Sequence, residues 1–240
     1  VALLAPWGVS ALFVADALSS LLAAAVAARL LPSTTSAVAS PPWRSALTRR
    51  LIVWTGIGTL YAVLVMLIVF MLPLAVEVAG WSPVVTGWLL AVAAAAAIGA
   101  QRLVARWEER LRPATMLVIG HVVLAAGLAL WATGELGFLV LGAVLEGASG
   151  AFCLGTYQAV AGRMAQPGLA AAVMTVFGLS WGVAAVIAPA VGTALLALGS
   201  GILWLSCAAT SLALAALHAS AGVQRRPSGA QSAGRRSSDR

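Results

Sequence analysis

The chain has 240 residues, of which 62% are hydrophobic and 9% charged, and its mean hydropathy is +1.01. Soluble domains carry about 25% charged residues and roughly 45–50% apolar ones, so a water-soluble globule is excluded. The net charge is +7, from 14 basic residues, every one an Arg, against 7 acids. A nucleic-acid-binding domain would need that charge as a solvated face on a soluble core, which this composition does not provide.

Residues 164–224 contain no Arg, Asp or Glu, a run far longer than the roughly 20 apolar residues that cross a bilayer core. Seven spans are predicted, at about 7–31, 51–76, 84–105, 114–133, 136–161, 168–198 and 201–221. The first is not a signal peptide: no basic residue precedes Arg29 and its apolar run is too long. Pro32, Pro41 and Pro42 fall in the first loop. Pro83, Pro113 and Pro167 each stand just before a span, where a missing N–H costs nothing. Ala- and Leu-rich runs favour helices, and the alternating pattern of a membrane β-barrel is missing.

The arginines report the orientation. Arg29, Arg44, Arg49 and Arg50 flank the first loop, and Arg102, Arg106, Arg110 and Arg112 the third. Arg163 marks the fifth, and the remaining five lie in the tail. All fall on one side, which the positive-inside rule makes cytoplasmic, so the first residue is outside and the C-terminus inside. Trp7, Trp81, Trp131 and Trp204 fall near the outer boundary and Trp54 near the inner one, as an aromatic belt would place them.

Ionisable residues inside the membrane are candidates for function, because a charge at the centre costs about 2.5 kcal/mol or more. Glu146 lies about 14 Å into its span at 1.5 Å per residue. Gly142, Ser149, Cys153 and Thr156 share its helical stripe, which is expected to face protein or a water-filled cavity. Glu146 is read either as a coupling proton site or cationic-substrate contact, or as a protonated acid in an interhelical hydrogen bond. Asp16 lies at similar depth, with Ser19 and Ser20 on its next turn; it is a second candidate, or a packing residue. Tyr61, Phe177 and Trp181 lie at mid-depth in the second and sixth spans, where they could wall a binding cavity through stacking and cation–π contacts or pack against neighbouring helices. Gly178 and Gly182 form G-x-x-x-G, a close-packing device, and Pro189 is expected to kink the sixth span. His121 reads as a hydrogen-bonded packing residue, and His218 has no assigned role. Cys153 and Cys207 lie within spans, and no His/Cys cluster has metal-ligand spacing. No cofactor is expected. The absence of Lys removes a retinal Schiff base and a P-loop, so transport would draw on a gradient or a partner.

Spans two to seven resemble the C-terminal six-helix half of a major facilitator superfamily transporter, and span one resembles the sixth helix, which closes the N-terminal half. The stretch from Trp7 through Asp16-Ala-Leu-Ser resembles that helix in bacterial drug-efflux members. Ala105-Arg-Trp-Glu-Glu-Arg-Leu-Arg-Pro113 is similar to the second-half copy of the family's G-x-x-x-D-R-x-G-R-R loop. Glu109 and Arg110 match the acid–Arg pair, and Ala105 and Arg112 stand where glycines would be. The turn at 163–168, Gly178, Gly182 and Ala188-Pro-Ala-Val-Gly192 resemble the family's tenth-to-eleventh connection and eleventh helix.

The resemblance implies an all-α polytopic helix bundle with four parts: 1–31, the last helix of the N-terminal half; 32–50, a cytoplasmic linker of flexible composition; 51–221, the C-terminal six-helix half; and 222–240, a disordered basic tail. It implies a non-enzymatic secondary transporter of the bacterial cytoplasmic membrane that exports a drug or other small solute by alternating access. Protons would be the coupling ion, and Arg106, Glu109 and Arg110 would form a cytoplasmic gating loop. Its partners would be the bilayer, the substrate, and either a missing N-terminal half or a second polypeptide, with no nucleic acid. A truncated chain, a true half-transporter, a seven-helix receptor or sensor, and an inactive remnant are the alternatives.

Overall fold

The computed structural model describes residues 9–30, 43–108 and 110–223. Among them seven α-helices follow one another: α1 (Val9–Leu30), α2 (Arg49–Val78), α3 (Pro83–Glu108), α4 (Pro113–Trp131), α5 (Leu136–Gly162), α6 (Ala170–Ala197) and α7 (Ser200–Val223). No strand occurs among the described residues, so the all-helical expectation holds. The helices α2 to α7 are long and apolar enough to cross a membrane. The corresponding apolar stretch of α1, Ala17–Leu30, is shorter than a full span, so six helices of the expected seven meet that measure.

Local chemistry sets the helix boundaries. Thr48 caps α2, its hydroxyl accepting from the Leu51 N–H at 3.2 Å, which satisfies one of the orphan donors of a first turn. Pro83 and Pro113 open α3 and α4, where their fixed φ suits a first turn. The α2–α3 and α4–α5 turns hold Gly80 at φ 81° and Gly134 at φ 72°, a left-handed backbone that a Cβ disfavours. Pro73 and Pro189 lie inside α2 and α6, and both helices run through them unbroken. A single 3-10 turn (Trp43–Ala46) tucks Ala46 into a small core with Leu51 and Val173.

The helices fall into two compact units. The first lies within Val1–Val92 and Ala161–Leu196 and holds α1, α2, the start of α3 and nearly all of α6. In it α2 and α6 run parallel. Phe177 lies over Gly58 and Gly192 lies over Leu67 and Met71, so contacts advance together along both helices. The second unit lies within Ala93–Val160 and Ala197–Arg240 and holds the rest of α3 with α4, α5 and α7. Here α4 is antiparallel to α5: Gly120 faces Phe152 and Cys153, while Gly127 faces Gly142 and Leu145. Parallel and antiparallel pairs of this kind are what alternate crossings require.

The outward surfaces are apolar. Leu22, Leu179 and Val186 are 67%, 61% and 78% exposed, which acyl chains tolerate and water penalises. The chain is a multi-pass membrane protein. Trp131 and Trp204 depart from the aromatic-belt expectation. Both are buried, their rings 5.0 Å apart at 71°, and Trp131 Nε1 donates to the Leu139 carbonyl at 2.9 Å. Together they lock the α4–α5 hairpin to α7 instead of resting among lipid headgroups.

Candidate functional site

In the second unit α5 is the central helix, and small residues let its neighbours reach its backbone. A Cβ on Gly147 would collide with the Ala93 backbone of α3. One on Gly127 of α4 would lie 2.9 Å from the Gly142 carbonyl and 3.4 Å from the Glu146 nitrogen. Glu146 is therefore held between two helix crossings near the middle of α5. Its side chain is half-buried, and no hydrogen bond or ion pair reaches its carboxyl among the described residues. The rest of its stripe packs on protein. Gly142 lies under the Trp131 ring and Cys153 against Gly120. Ser149 and Thr156 are buried and donate to the Glu146 and Phe152 carbonyls at 2.7 Å each. The hydroxyls thus satisfy their own helix, as membrane Ser and Thr commonly do.

Elsewhere in the same unit lies a polar cluster that the sequence alone does not assemble. His121 of α4, Tyr157 of α5, and Ser211 and His218 of α7 are all buried. The Tyr157 hydroxyl lies 3.0 Å from His121 Nε2 and 2.8 Å from His218 Nε2. Ser211 Oγ lies 3.2 Å from His121 Nδ1 and donates to the His121 carbonyl at 2.9 Å. The imidazoles stack with centroids 5.7 Å apart at 16°, and the phenol meets both edge-on. His121 is thus the hydrogen-bonded residue expected of it, but it is not alone: His218 joins it. The pairing crosses up to 90 residues of sequence, so only the residue depths hint at it. In alternating spans His121, Tyr157 and His218 fall in one band near the α4 start and the α5 and α7 ends.

In the first unit two of the three aromatic candidates meet, and the third packs one turn away. Tyr61 is buried on α2 with Trp181 of α6 edge-on to it, centroids 6.5 Å apart at 80°. Phe177 is buried one turn before Trp181, close enough to Gly58 that a Cβ there would lie 2.7 Å from its ring. Below Tyr61, Thr59 donates to the Thr55 carbonyl at 2.8 Å. The buried Thr55 Oγ1 has no hydrogen-bond partner among the described residues. Gly178 and Gly182 occupy an exposed face of α6, where an added Cβ would meet nothing within 4 Å. The close approaches in this unit fall at Gly58 and Gly192. Thr193 Oγ1 donates to the Pro189 carbonyl at 2.8 Å, in the turn after that proline.

The remaining candidates are peripheral. Arg106 is exposed on the last turn of α3, and Arg110 is exposed in the turn that follows, its N–H bonded to the Trp107 carbonyl at 2.9 Å. Glu109 lies outside the described residues, as does the side chain of Asp16 on α1. Cys153 and Cys207 are buried free thiols. Among the described residues no group of three or more His, Cys, Asp or Glu is placed to hold a metal ion.

The family model described as Major Facilitator Superfamily matches residues 80–238, from the turn before α3 through α7 and into the tail. Comparisons with curated proteins and with solved structures find no match. The matched segment is more than half of the chain and contains five of its membrane-length helices. The chain belongs to the Major Facilitator Superfamily of membrane transporters.

Proposed function

We propose that the protein is a proton-coupled exporter of a drug or other small solute in a bacterial cytoplasmic membrane, working by alternating access. The family match over residues 80–238 carries the transporter assignment. Such transporters are built from repeats, and binding near the bilayer midplane accompanies their rocking. In this reading α2 to α7 form the C-terminal half, with α1 as the last helix of the preceding half and the segment up to Arg49 as the connection between halves. The Arg-rich side faces the cytoplasm. Arg106, Glu109 and Arg110 latch that face. Tyr61, Phe177 and Trp181 line the substrate path on α2 and α6, offering the flat apolar surfaces that hold aromatic or cationic solutes.

Glu146 is the coupling group of this proposal, with Asp16 as a second acid. Support comes from the half-buried Glu146 carboxyl at mid-helix, unpaired among the described residues, in a region where ionisable groups are costly. The alternative, a structural acid bonded between helices, needs a partner that the described residues do not supply. The test is dye efflux driven by an imposed pH gradient in inverted membrane vesicles carrying the gene product. Glu146→Gln is expected to lower gradient-driven efflux at least tenfold while leaving substrate exchange without a gradient within about twofold. Unchanged coupling in that variant would remove Glu146 from the mechanism.

A further inference from the structure

In the second unit α3 meets α5 twice. The Ala93 backbone lies against Gly147, and the Trp107 ring lies 5.8 Å from that of Phe152 at 56°. Ala93 and Trp107 are 14 residues apart, close to four turns, so one side of α3 holds both contacts. The other side carries Ala95, Ile98, Arg102 and Arg106, at steps of three, four and four residues. All four are exposed, Ile98 to 68%. Neither arginine has an ion pair among the described residues.

Depth gives this face two parts. From Pro83 to Arg102 α3 rises about 29 Å, which matches a hydrocarbon core about 30 Å thick. Arg102 therefore stands where hydrocarbon gives way to headgroups, and Arg106 about 6 Å further out. Ala95 and Ile98 lie on the hydrocarbon side of them. Glu108 stands two residues after Arg106, about 200° around the helix and on the far side from it. Glu109 lies outside the described residues. Arg110 and Arg112 are exposed in the turn that follows and strengthen the positive field at this level.

We propose that Arg102 and Arg106 bind the phosphate of one anionic phospholipid whose acyl chains lie along Ile98 and Ala95. Guanidinium groups meet phosphate oxygens in a two-pronged geometry, and their apolar stems can follow the helix out to that level. The apolar strip next to them gives the site a place for lipid that a free anion does not use. A phosphatidylcholine headgroup brings its own cation, which neutralises its phosphate and is repelled by the pair. Phosphatidylglycerol keeps a net negative charge and fits both arginines.

The test uses the full chain, purified in detergent and stripped of lipid. It is offered phosphatidylglycerol and phosphatidylcholine in equal amounts and read by native mass spectrometry. One phosphatidylglycerol is expected to stay bound, at least tenfold over phosphatidylcholine. Arg102→Gln is expected to lower its retention about fivefold, and Arg102→Gln with Arg106→Gln at least tenfold. Arg49→Gln with Arg50→Gln removes the same charge elsewhere on the Arg-rich side and is expected to keep retention within about twofold. Equal retention of the two lipids by the unsubstituted chain would overturn the site, and that measurement needs no variant to fold. Equal losses in the two double variants would assign the preference to the general charge of this side and overturn it as well. Displacement of the lipid by inorganic phosphate would make the pair a free-anion site, and a lipid-free dimer would give the face to a second copy of the chain; either result sinks the lipid assignment. The site does not rest on the exporter reading. Arg106 is shared with the proposed latch but Arg102 is not, and retention is read without transport, so failure of one proposal leaves the other standing.

Discussion

Gly147 has no room for a side chain, because a Cβ there would enter the Ala93 backbone of α3. Backbone cannot move aside as a flexible side chain can. Gly147→Ala is therefore expected to lower stability by about 1–3 kcal/mol, the usual cost of overpacking, read as a lower thermal midpoint in nanodiscs. Gly178→Ala meets nothing within 4 Å and replaces a poor helix former with the best one. It is expected to leave the midpoint unchanged or raise it, by a stabilisation of up to about 1 kcal/mol. The G-x-x-x-G spacing makes Gly178 and Gly182 visible in the sequence. Spacing shows that two glycines share a helix face, but which face meets another helix is settled by the partner, and here the close approaches fall at Gly58, Gly120, Gly127, Gly142, Gly147 and Gly192.

Helix boundaries are legible almost to the residue, because their signals are local. The span predicted at 136–161 is α5, Leu136–Gly162, and that at 84–105 is α3, Pro83–Glu108. Apolar runs, prolines at first turns and turn glycines act within a few residues and need no tertiary context. The start of α2 shows the same economy in a single hydroxyl. Thr48→Ala removes the acceptor for the Leu51 N–H and is expected to cost about 1 kcal/mol. Faster amide exchange in the first turn of α2, with later turns unchanged, checks it. The stripe of Glu146 likewise follows from helical spacing, and its members do share a buried face. What each one touches is not predictable, since Trp131 over Gly142 and Gly120 against Cys153 depend on how α4 is rotated.

Alternation of seven helices with every Arg on one side yields a topology prediction that the sequence makes and labelling can check. Cysteines at Ser82 and Thr133, in the α2–α3 and α4–α5 turns, are expected to react with a membrane-impermeant maleimide in spheroplasts. Cysteines at Arg110 and Gln166, in the α3–α4 and α5–α6 turns, should react only in inverted vesicles. The native Cys153 and Cys207 are buried and contribute little background. Reaction of Ser82→Cys and Arg110→Cys from the same side would overturn the orientation.

Membrane class, helix number and the order of helices follow from the residues alone, because the bilayer is a uniform solvent that reads apolar length and charge position without regard to neighbours. The convergence of His121, Tyr157, Ser211 and His218 does not. Each is an isolated polar residue in its own helix, costly in lipid unless satisfied, and nothing local says which distant helix satisfies it. The aromatic trio divides the same way: depth places Tyr61, Phe177 and Trp181 at one level, and the parallel packing of α2 on α6 brings Trp181 onto Tyr61 and Phe177 onto Gly58. Hydrophobic length acts through the solvent, whereas a hydrogen bond or a ring contact acts over a few ångströms, and only the packed helices bring residues 90 apart within that reach.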